Sequence, residues 1–407
     1  MRIGIFTDTY PPYINGVSTS IVMLEKALVK KGHQVFIVTV NTEKYAYENE
    51  DRIIRIPGIP IGIYDYRLTG IYPLKAINKI TKWNLDVIHS HTEFGVGTFA
   101  RIIAKQLDIP LIHTYHTMYE DYIHYITKGY FMGPSKKLVE YLTKFYCDKT
   151  ATELIVPTKK AYDLFKEKYH VDRNVHIIPT GIEIERFYHE NIDKEEMRKI
   201  REKYAISEID PIILYVGRLA QEKSVDLLID GHYEIIKKIK NAKLMIVGDG
   251  PDIEKYKKQA SKISENVIFT GKVPWEQVPN YYAIASVFST ASRTETQGLT
   301  VIEAMAASLP AICADDDSFK EVVIESLNGL LFKNKKEYVE SAITLLGNPN
   351  LIKKMGNQAR INSEIHSSKY FAERVLSVYR LSMKKIKKEK NIFKKIKMIV
   401  KRGLNGK

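Results

Sequence analysis

One arrangement occurs twice in this 407-residue chain, starting at Arg2 and again at Ile212, and it limits the possible folds more than any other feature. Residues 2–7 form a short apolar run of β-formers. A loop with Pro11, Pro12, Asn15 and Gly16 follows, then apolar residues at helical spacing (Ile21, Leu24, Leu28) and, after Gly32, a second apolar run over 34–40. The second copy has the run 212–216, Gly217, a polar loop to Ser224, a helical pattern through Leu227, Leu228 and Ile235, and the run 243–247. Each copy reads as strand, crossover helix and parallel strand, with a glycine at or near the first turn. Two such units predict an α/β chain of two Rossmann-like halves. Apolar runs at 87–89, 111–113, 154–156 and 175–178 extend the first sheet, and those at 267–269, 287–289 and 311–313 extend the second. The length suits two domains. The first is expected over 1–181 and the second over 182–368, with a helix over 369–407 packing back on the first.

Several function classes become poor fits. With 44% hydrophobic and 27% charged residues, the balance is that of a globular protein. No basic segment followed by an apolar one opens the chain, and no apolar run is long enough to span a bilayer, so neither export nor a transmembrane anchor is expected. Cys147 and Cys313 have no metal-ligand spacing and suggest no disulfide framework, which favours a reducing cytoplasm. The net charge of +14 predicts an anionic partner. Most of it sits past Met383, where eleven basic residues face one acid, Glu389. A charge confined to one tail, without zinc-finger spacing or an aromatic RNA-binding motif, argues against nucleic acid. A nicotinamide enzyme would need Gly-x-Gly-x-x-Gly after the first strand, which Gly4 and Gly16 do not supply.

Ligands of open parallel sheets bind beyond the carboxyl ends of the strands, so the loops after strands hold the candidate site. Asn15 and Gly16 precede a helix whose first amides could face an anion, although a turn glycine before a capped helix fits as well. Gly217, Arg218 and Lys223 follow the run 212–216, where two cations suit a diphosphate. They also suit a solvated loop. After 287–289 comes Ser292-Arg293-Thr294-Glu295-Thr296-Gln297-Gly298-Leu299, leading into a helix with Glu303. Eight helical steps would separate Glu295 and Glu303 by roughly 12 Å, more than the roughly 5–9 Å of glycosidase carboxylate pairs. The pair therefore reads as two handles on a long ligand. The amides of Gln297, Gly298 and Leu299 would meet a phosphate, and Thr296 lies in the same loop. His89, His91, His113, His116 and His124 cluster in sequence, and His116 follows a strand where a residue of the reacting centre would project. His89 and His91 could pair on a metal, but no ligand set accompanies them. Asp315, Asp316 and Asp317 read as a polar loop or a weak metal site.

In this order and spacing the motifs resemble the GT-B glycosyltransferases of family 4, a retaining group. The resemblance runs through the Gly16 loop, Thr114-Tyr115-His116-Thr117, Gly217-Arg218 with Lys223, Val247-Gly248-Asp249-Gly250-Pro251, Phe269-Thr270-Gly271-Lys272-Val273, and Glu295 with Glu303. It implies two Rossmann-like domains facing each other across a cleft, the first for the acceptor and the second for a nucleotide sugar. It implies that Gly16 meets the donor diphosphate and that His116 contacts the 6-hydroxyl of the reacting sugar. Arg218 and Lys223 would hold the diphosphate. Lys272 and Val273 would offer backbone to the base, Glu295 would touch the sugar, and Glu303 would bind the ribose. Gly217, Gly248 and Thr296 to Leu299 count among the donor contacts, and no metal or other cofactor is implied. Asp315 to Asp317 stand where many relatives have a glycine-rich turn.

The segments 89–94, 113–122 and 294–299 look like those of bacterial 1,2-diacylglycerol 3-glucosyltransferases, which implies UDP-glucose as donor and a lipid acceptor. The alternative acceptor is a soluble sugar or a polyprenyl-linked envelope intermediate. Three basic amphipathic stretches suit an anionic membrane: Leu74, Ile77 and Ile80 before Trp83; Leu138, Leu142 and Phe145; and Ile392, Ile396, Ile399 and Val400 within the segment 384–402. Each also suits a helix packed on its own core. The expected location is the inner face of the plasma membrane, peripherally bound from the cytoplasm.

Overall fold

The computed structural model describes residues 1–12, 15–41, 51–60, 67–69, 74–93, 95–116, 140–141, 143–262, 266–293, 295 and 297–404, with backbone alone at 59–60, 67–69, 74–75 and 392–404. The chain divides into two compact units, Met1–Gly181 with Phe371–Lys407, and Ile182–Tyr370.

The first unit is built on β1 (Arg2–Phe6), β2 (Gln34–Val40), β3 (Ile53–Ile56), β6 (Val87–Ser90), β7 (Leu111–Thr114), β8 (Glu153–Val156) and β9 (Val175–Ile177). They form one sheet in the order β3-β2-β1-β6-β7-β8-β9. All its ladders are parallel. A separate short hairpin joins β4 (Gly58–Pro60) and β5 (Arg67–Thr69). Helices α1 (Gly16–Lys30), α2 (Leu74–Lys82) and α3 (Gly95–Leu107) are crossovers. Asn15 caps α1 by accepting from the Ser18 amide at 2.9 Å. Ile21, Leu24 and Leu28 then repeat on one face and are fully buried against Ile3, Ile5 and Val35. Each contributes about 1.5–3 kcal/mol of apolar burial.

The second unit holds β10 (Ile212–Val216), β11 (Lys243–Val247), β12 (Val267–Gly271), β13 (Val287–Thr290), β14 (Ala311–Ala314) and β15 (Gly329–Phe332). The order is β12-β11-β10-β13-β14-β15, again all parallel. Alternation sends Ile212 and Leu214 into one core, and Ile213 and Tyr215 into the other. A strand covered on both faces has no need of polar residues, which explains its unbroken apolar run. Helices α4 (Val225–Ile236) and α5 (Leu299–Ala306) follow β10 and β13. In each sheet the first strand lies between the second and a later one, so the chain reverses direction across the sheet at β1/β6 and at β10/β13. Loops splay apart at those points, and ligands gather there.

Helix α6 (Ser368–Leu404) returns to the first unit. Phe371, Val375, Leu376 and Tyr379 are buried in the same core as α1. Lys385 pairs with Glu153, and Lys390 with Asp108 at 2.7 Å, so part of the tail's charge is spent within the chain. The side chains of Ile392, Ile396, Ile399 and Val400 lie outside the described residues, as do Leu138 and Leu142. For α2 the membrane expectation is corrected. Ile77, Ile80 and Trp83 are buried in the unit's own core, with Trp83 stacked on Phe36 at 4.8 Å. No helix among the described residues is long and apolar enough to cross a membrane.

Candidate functional site

In the second unit, the loops after β10 and β11 continue the sheet by backbone bonds. The Gly217 amide donates to the Val247 carbonyl, and the Gly248 amide to the Gly271 carbonyl, each at 3.0 Å. Gly248 has a φ of 139°, and a Cβ there would come within 1.9 Å of the Gly217 carbonyl oxygen. The two loops can lie this close only with glycine at that point. Beyond this floor Arg218 is exposed. Lys223 ends a short 3-10 turn and reaches across to Glu295, pairing with Oε1 at 2.5 Å, with side chains 21% and 26% exposed. A cation and a carboxylate 72 positions apart thus meet at the switch point.

The loop after β13 is not helical until Leu299, so helix rise does not set the spacing of Glu295 and Glu303, and the roughly 12 Å estimate does not apply. Gly298 caps α5 with a left-handed φ of 68°, and a Cβ there would meet the Phe319 ring at 2.6 Å. Gln297 is buried, Leu299 half-buried, and Thr296 lies outside the described residues. At this end the Val301 amide donates to the Gly298 carbonyl at 3.0 Å, and the amides before it belong to the first turn, which a helix does not bond internally.

The Asp315–Asp317 loop has a structural task that its sequence did not suggest. Asp316 accepts from the Ser318 amide at 3.0 Å, and Lys320 pairs with Asp315 at 2.9 Å and Asp317 at 3.1 Å. The Ser318 hydroxyl then donates to the Glu295 carbonyl at 2.5 Å. Asp315 and Asp317 share the Lys320 ammonium, Asp316 caps the short turn, and the loop braces Glu295. Among the described residues no group of three His, Cys, Asp or Glu side chains is arranged to hold a metal.

Glu303 is 5% exposed and accepts from the Tyr282 hydroxyl at 2.7 Å. Burial pushes its carboxyl up to about 7, against the opposing effects of that hydrogen bond and the Arg186 charge. Lys272 is exposed just past β12, while Val273 packs against the core.

The first unit holds the other candidates. Gly16 is exposed, and among the described residues nothing lies within 4 Å of where its Cβ would be. The Asn15 amide also donates to Thr9 at 2.7 Å, tying the loop to the end of β1. Asp8 accepts from the Val96 amide at 2.9 Å and from Thr92 at 2.5 Å. Burial raises its carboxyl to about 6. His116 is half-buried after β7, and its Nε2 lies 2.8 Å from His91 Nδ1. His89 is bonded at both nitrogens, to Tyr379 and Thr114, and His113 to Glu93 at 3.1 Å. Each of these four histidines thus has a protein partner at one ring nitrogen or both, and His124 lies outside the described residues.

Sequence reasoning passed over Tyr282, Ser318 and Asp8. Asp8 lies two residues past β1, a signal that could have been used. Tyr282 and Ser318 act across 21 and 23 positions, and no local pattern marks them.

Residues 14–186 match the sequence profile described as Glycosyltransferase Family 4, and residues 196–362 the one described as Glycosyl transferases group 1. The α-monoglucosyldiacylglycerol synthase of Acholeplasma laidlawii is 36% identical over 387 residues, covering 93% of this chain and 96% of that protein. The enzyme of the same name from Streptococcus pneumoniae is 35% identical over 386 residues, covering 93% of this chain and 85% of its own. HepE of Anabaena, solved in complex with UDP, has a fold similar to this chain at a TM-score of 0.71 and 15% identity, over 93% of this chain and 99% of that one. Full-length relatives above a third identical, profiles matching in both units and two all-parallel sheets lead to one conclusion: the chain is a glycosyltransferase of family 4 with the GT-B fold.

Proposed function

We propose that this enzyme is a retaining hexosyltransferase that moves glucose from UDP-glucose to diacylglycerol at a membrane surface. Whole-length similarity to two α-monoglucosyldiacylglycerol synthases carries the choice of acceptor and sugar. The donor reading is supported by the Lys223–Glu295 pair at the β10/β13 switch point, beside Arg218 and the start of α5.

In this reading the donor's diphosphate takes Lys223 from Glu295, and Glu295 turns to the sugar. The bond from C1 to the diphosphate oxygen breaks, and its electron pair leaves with UDP. Arg218, Lys223 and the α5 amides stabilise that charge, which is the task a metal would otherwise perform. The acceptor hydroxyl attacks from the same face and gives its proton to the departing phosphate, so the configuration is retained. Glu303 accepts from the ribose hydroxyls, and His116 meets the sugar's 6-hydroxyl. Exposed Tyr141 and Phe145, beside Lys144, together with Lys384, Lys387 and Lys388 on α6, support an anionic lipid surface as the working place.

The test supplies radiolabelled UDP-glucose, diacylglycerol in anionic vesicles and a chelator, then counts the organic phase. Labelled glycolipid is expected, and it is lost on Glu295→Ala and Arg218→Ala. An empty organic phase with continued UDP release overturns the acceptor. No turnover of UDP-glucose overturns the donor assignment as well.

A further inference from the structure

We infer that His91 is a positioning residue that holds His116 as the tautomer protonated at Nδ1, so that His116 meets its ligand as a hydrogen-bond donor. The inference rests on the proposed role of His116 beside the sugar. It adds a direction to that contact and a residue that sets it.

A neutral imidazole has one N–H and one bare nitrogen. Between His91 Nδ1 and His116 Nε2, 2.8 Å apart, there is room for one proton. If His116 supplied it, the proton of His91 would sit on its own Nε2. That atom is buried and has no hydrogen-bond partner among the described residues. A buried N–H without an acceptor is rarer and dearer than a bare nitrogen lone pair in the same place. The proton therefore belongs to His91 Nδ1. His116 accepts at Nε2 and carries its own proton on Nδ1.

The packing around His91 leaves it little choice of orientation. Its ring lies 4.1 Å from that of His89 and 5.1 Å from that of His116, centroid to centroid. His89 is itself fixed at both nitrogens by Tyr379 and Thr114. Helix α6 thus helps to hold the cluster through Tyr379. Both rings stay neutral in the working range. Burial and the neighbouring histidines hold His91 well below its ordinary value, and burial with His113 brings His116 to about 4 against the pull of Glu93.

The chemical consequence is specific. His116 offers Nδ1–H to an oxygen and has no free lone pair at that nitrogen. It suits recognition of the sugar's 6-hydroxyl oxygen and does not suit removal of the acceptor's proton.

Long-range 1H–15N correlation spectra of the 15N-histidine enzyme read the tautomer directly, with the His116 signal assigned by its loss in His116→Gln. The expected result is protonation at Nδ1 in the wild type. It is kept in His91→Asn, whose amide N–H can stand near the lost Nδ1–H, and becomes mixed in His91→Leu. A wild-type His116 signal showing the proton on Nε2 overturns the inference whether or not the His91 variants fold. Kinetics give a second readout. UDP-6-deoxyglucose is expected to lower kcat/KM roughly tenfold in the wild type, the worth of one hydrogen bond, with no further loss in His91→Leu. Equal losses with both donors in His91→Leu make His91 merely structural and overturn its positioning role. If the wild type uses both donors equally while Nδ1 carries the proton, the sugar contact falls and the tautomer stands.

Discussion

Glu303 offers a stability measurement that needs no substrate. Its carboxyl sits at about 7, against 4.5 for an ordinary glutamate, because burial disfavours the charge. Between those two values the native state holds a proton that the unfolded chain has released. Unfolding free energy therefore falls as pH rises through this window. A shift of two to three units is worth about 3 kcal/mol, all of it lost by pH 8 and none of it below pH 4. Replacing Glu303 with Gln removes the charge and keeps an oxygen to accept from Tyr282. The variant is expected to exceed the wild type by about 3 kcal/mol at pH 8 and by about 1 kcal/mol or less at pH 5. Other titrating groups cancel in the difference between the two proteins. Urea unfolding followed by Trp275 fluorescence, in a Trp83→Phe background, reports the second unit alone, because Trp275 packs against Phe187 there. Equal differences at the two pH values, or a variant weaker at pH 8, would refute the assignment of the raised carboxyl. The same variant is expected to lose donor binding by calorimetry, since an amide accepts poorly from two ribose hydroxyls.

The other expectations concern the bracing of the site and the tail. If Lys223 holds the diphosphate as proposed, Lys223→Gln removes one charge-assisted contact, and kcat/KM for the donor should fall roughly tenfold to a hundredfold in the organic-phase assay. Ser318→Ala leaves the Glu295 carbonyl without its donor. Stability should drop by about 1 kcal/mol in urea, and UDP-glucose binding should weaken by calorimetry. Gly298→Ala forces a side chain into a left-handed backbone and against Phe319, so a loss above about 1–2 kcal/mol is expected by the same unfolding assay. Changing Lys394, Lys395 and Lys397 together to Gln should weaken sedimentation with anionic vesicles about a hundredfold, at about 1 kcal/mol per cation, and leave neutral vesicles unaffected.

The sheets could be read from the sequence because of how parallel strands are buried. Residues 212–216 and 311–314 are covered on both faces, so they are apolar throughout and stand out from their surroundings. Edge strands lack that mark. Of the four edge strands, β9 and β12 were still read as apolar runs, whereas β3, with Arg55 inside it, and β15 were not anticipated. The site was readable in position but not in partnership. Glu295, Lys223 and His116 stood out as candidates because they follow strands. That Lys223 meets Glu295, that Ser318 braces Glu295 and that His91 meets His116 depends on which strands lie side by side. A sheet order of β11-β10-β13 joins loops some 70 residues apart, and no local spacing encodes that.

The basic amphipathic helices show the same limit from another side. Ile77 and Ile80 spaced among lysines describe a helix with one apolar face, and the pattern is silent on what covers that face. In α2 the cover is the unit's own sheet, with Trp83 closing it against Phe36. In α6 the question has two answers along one helix. From Phe371 to Tyr379 the apolar side is buried beside α1, and Lys385 and Lys390 are paired to the body of the unit. Beyond Lys390 the lysines outnumber any acid by far. A segment that must only pack on its own domain gains nothing from such an excess, because repulsion among like charges at helical spacing is unfavourable. An anionic surface turns that repulsion into attraction. The change from paired to unbalanced charge along α6 is therefore the sequence feature on which the proposed lipid surface rests, and the vesicle experiment with Lys394, Lys395 and Lys397 tests that part of the helix alone.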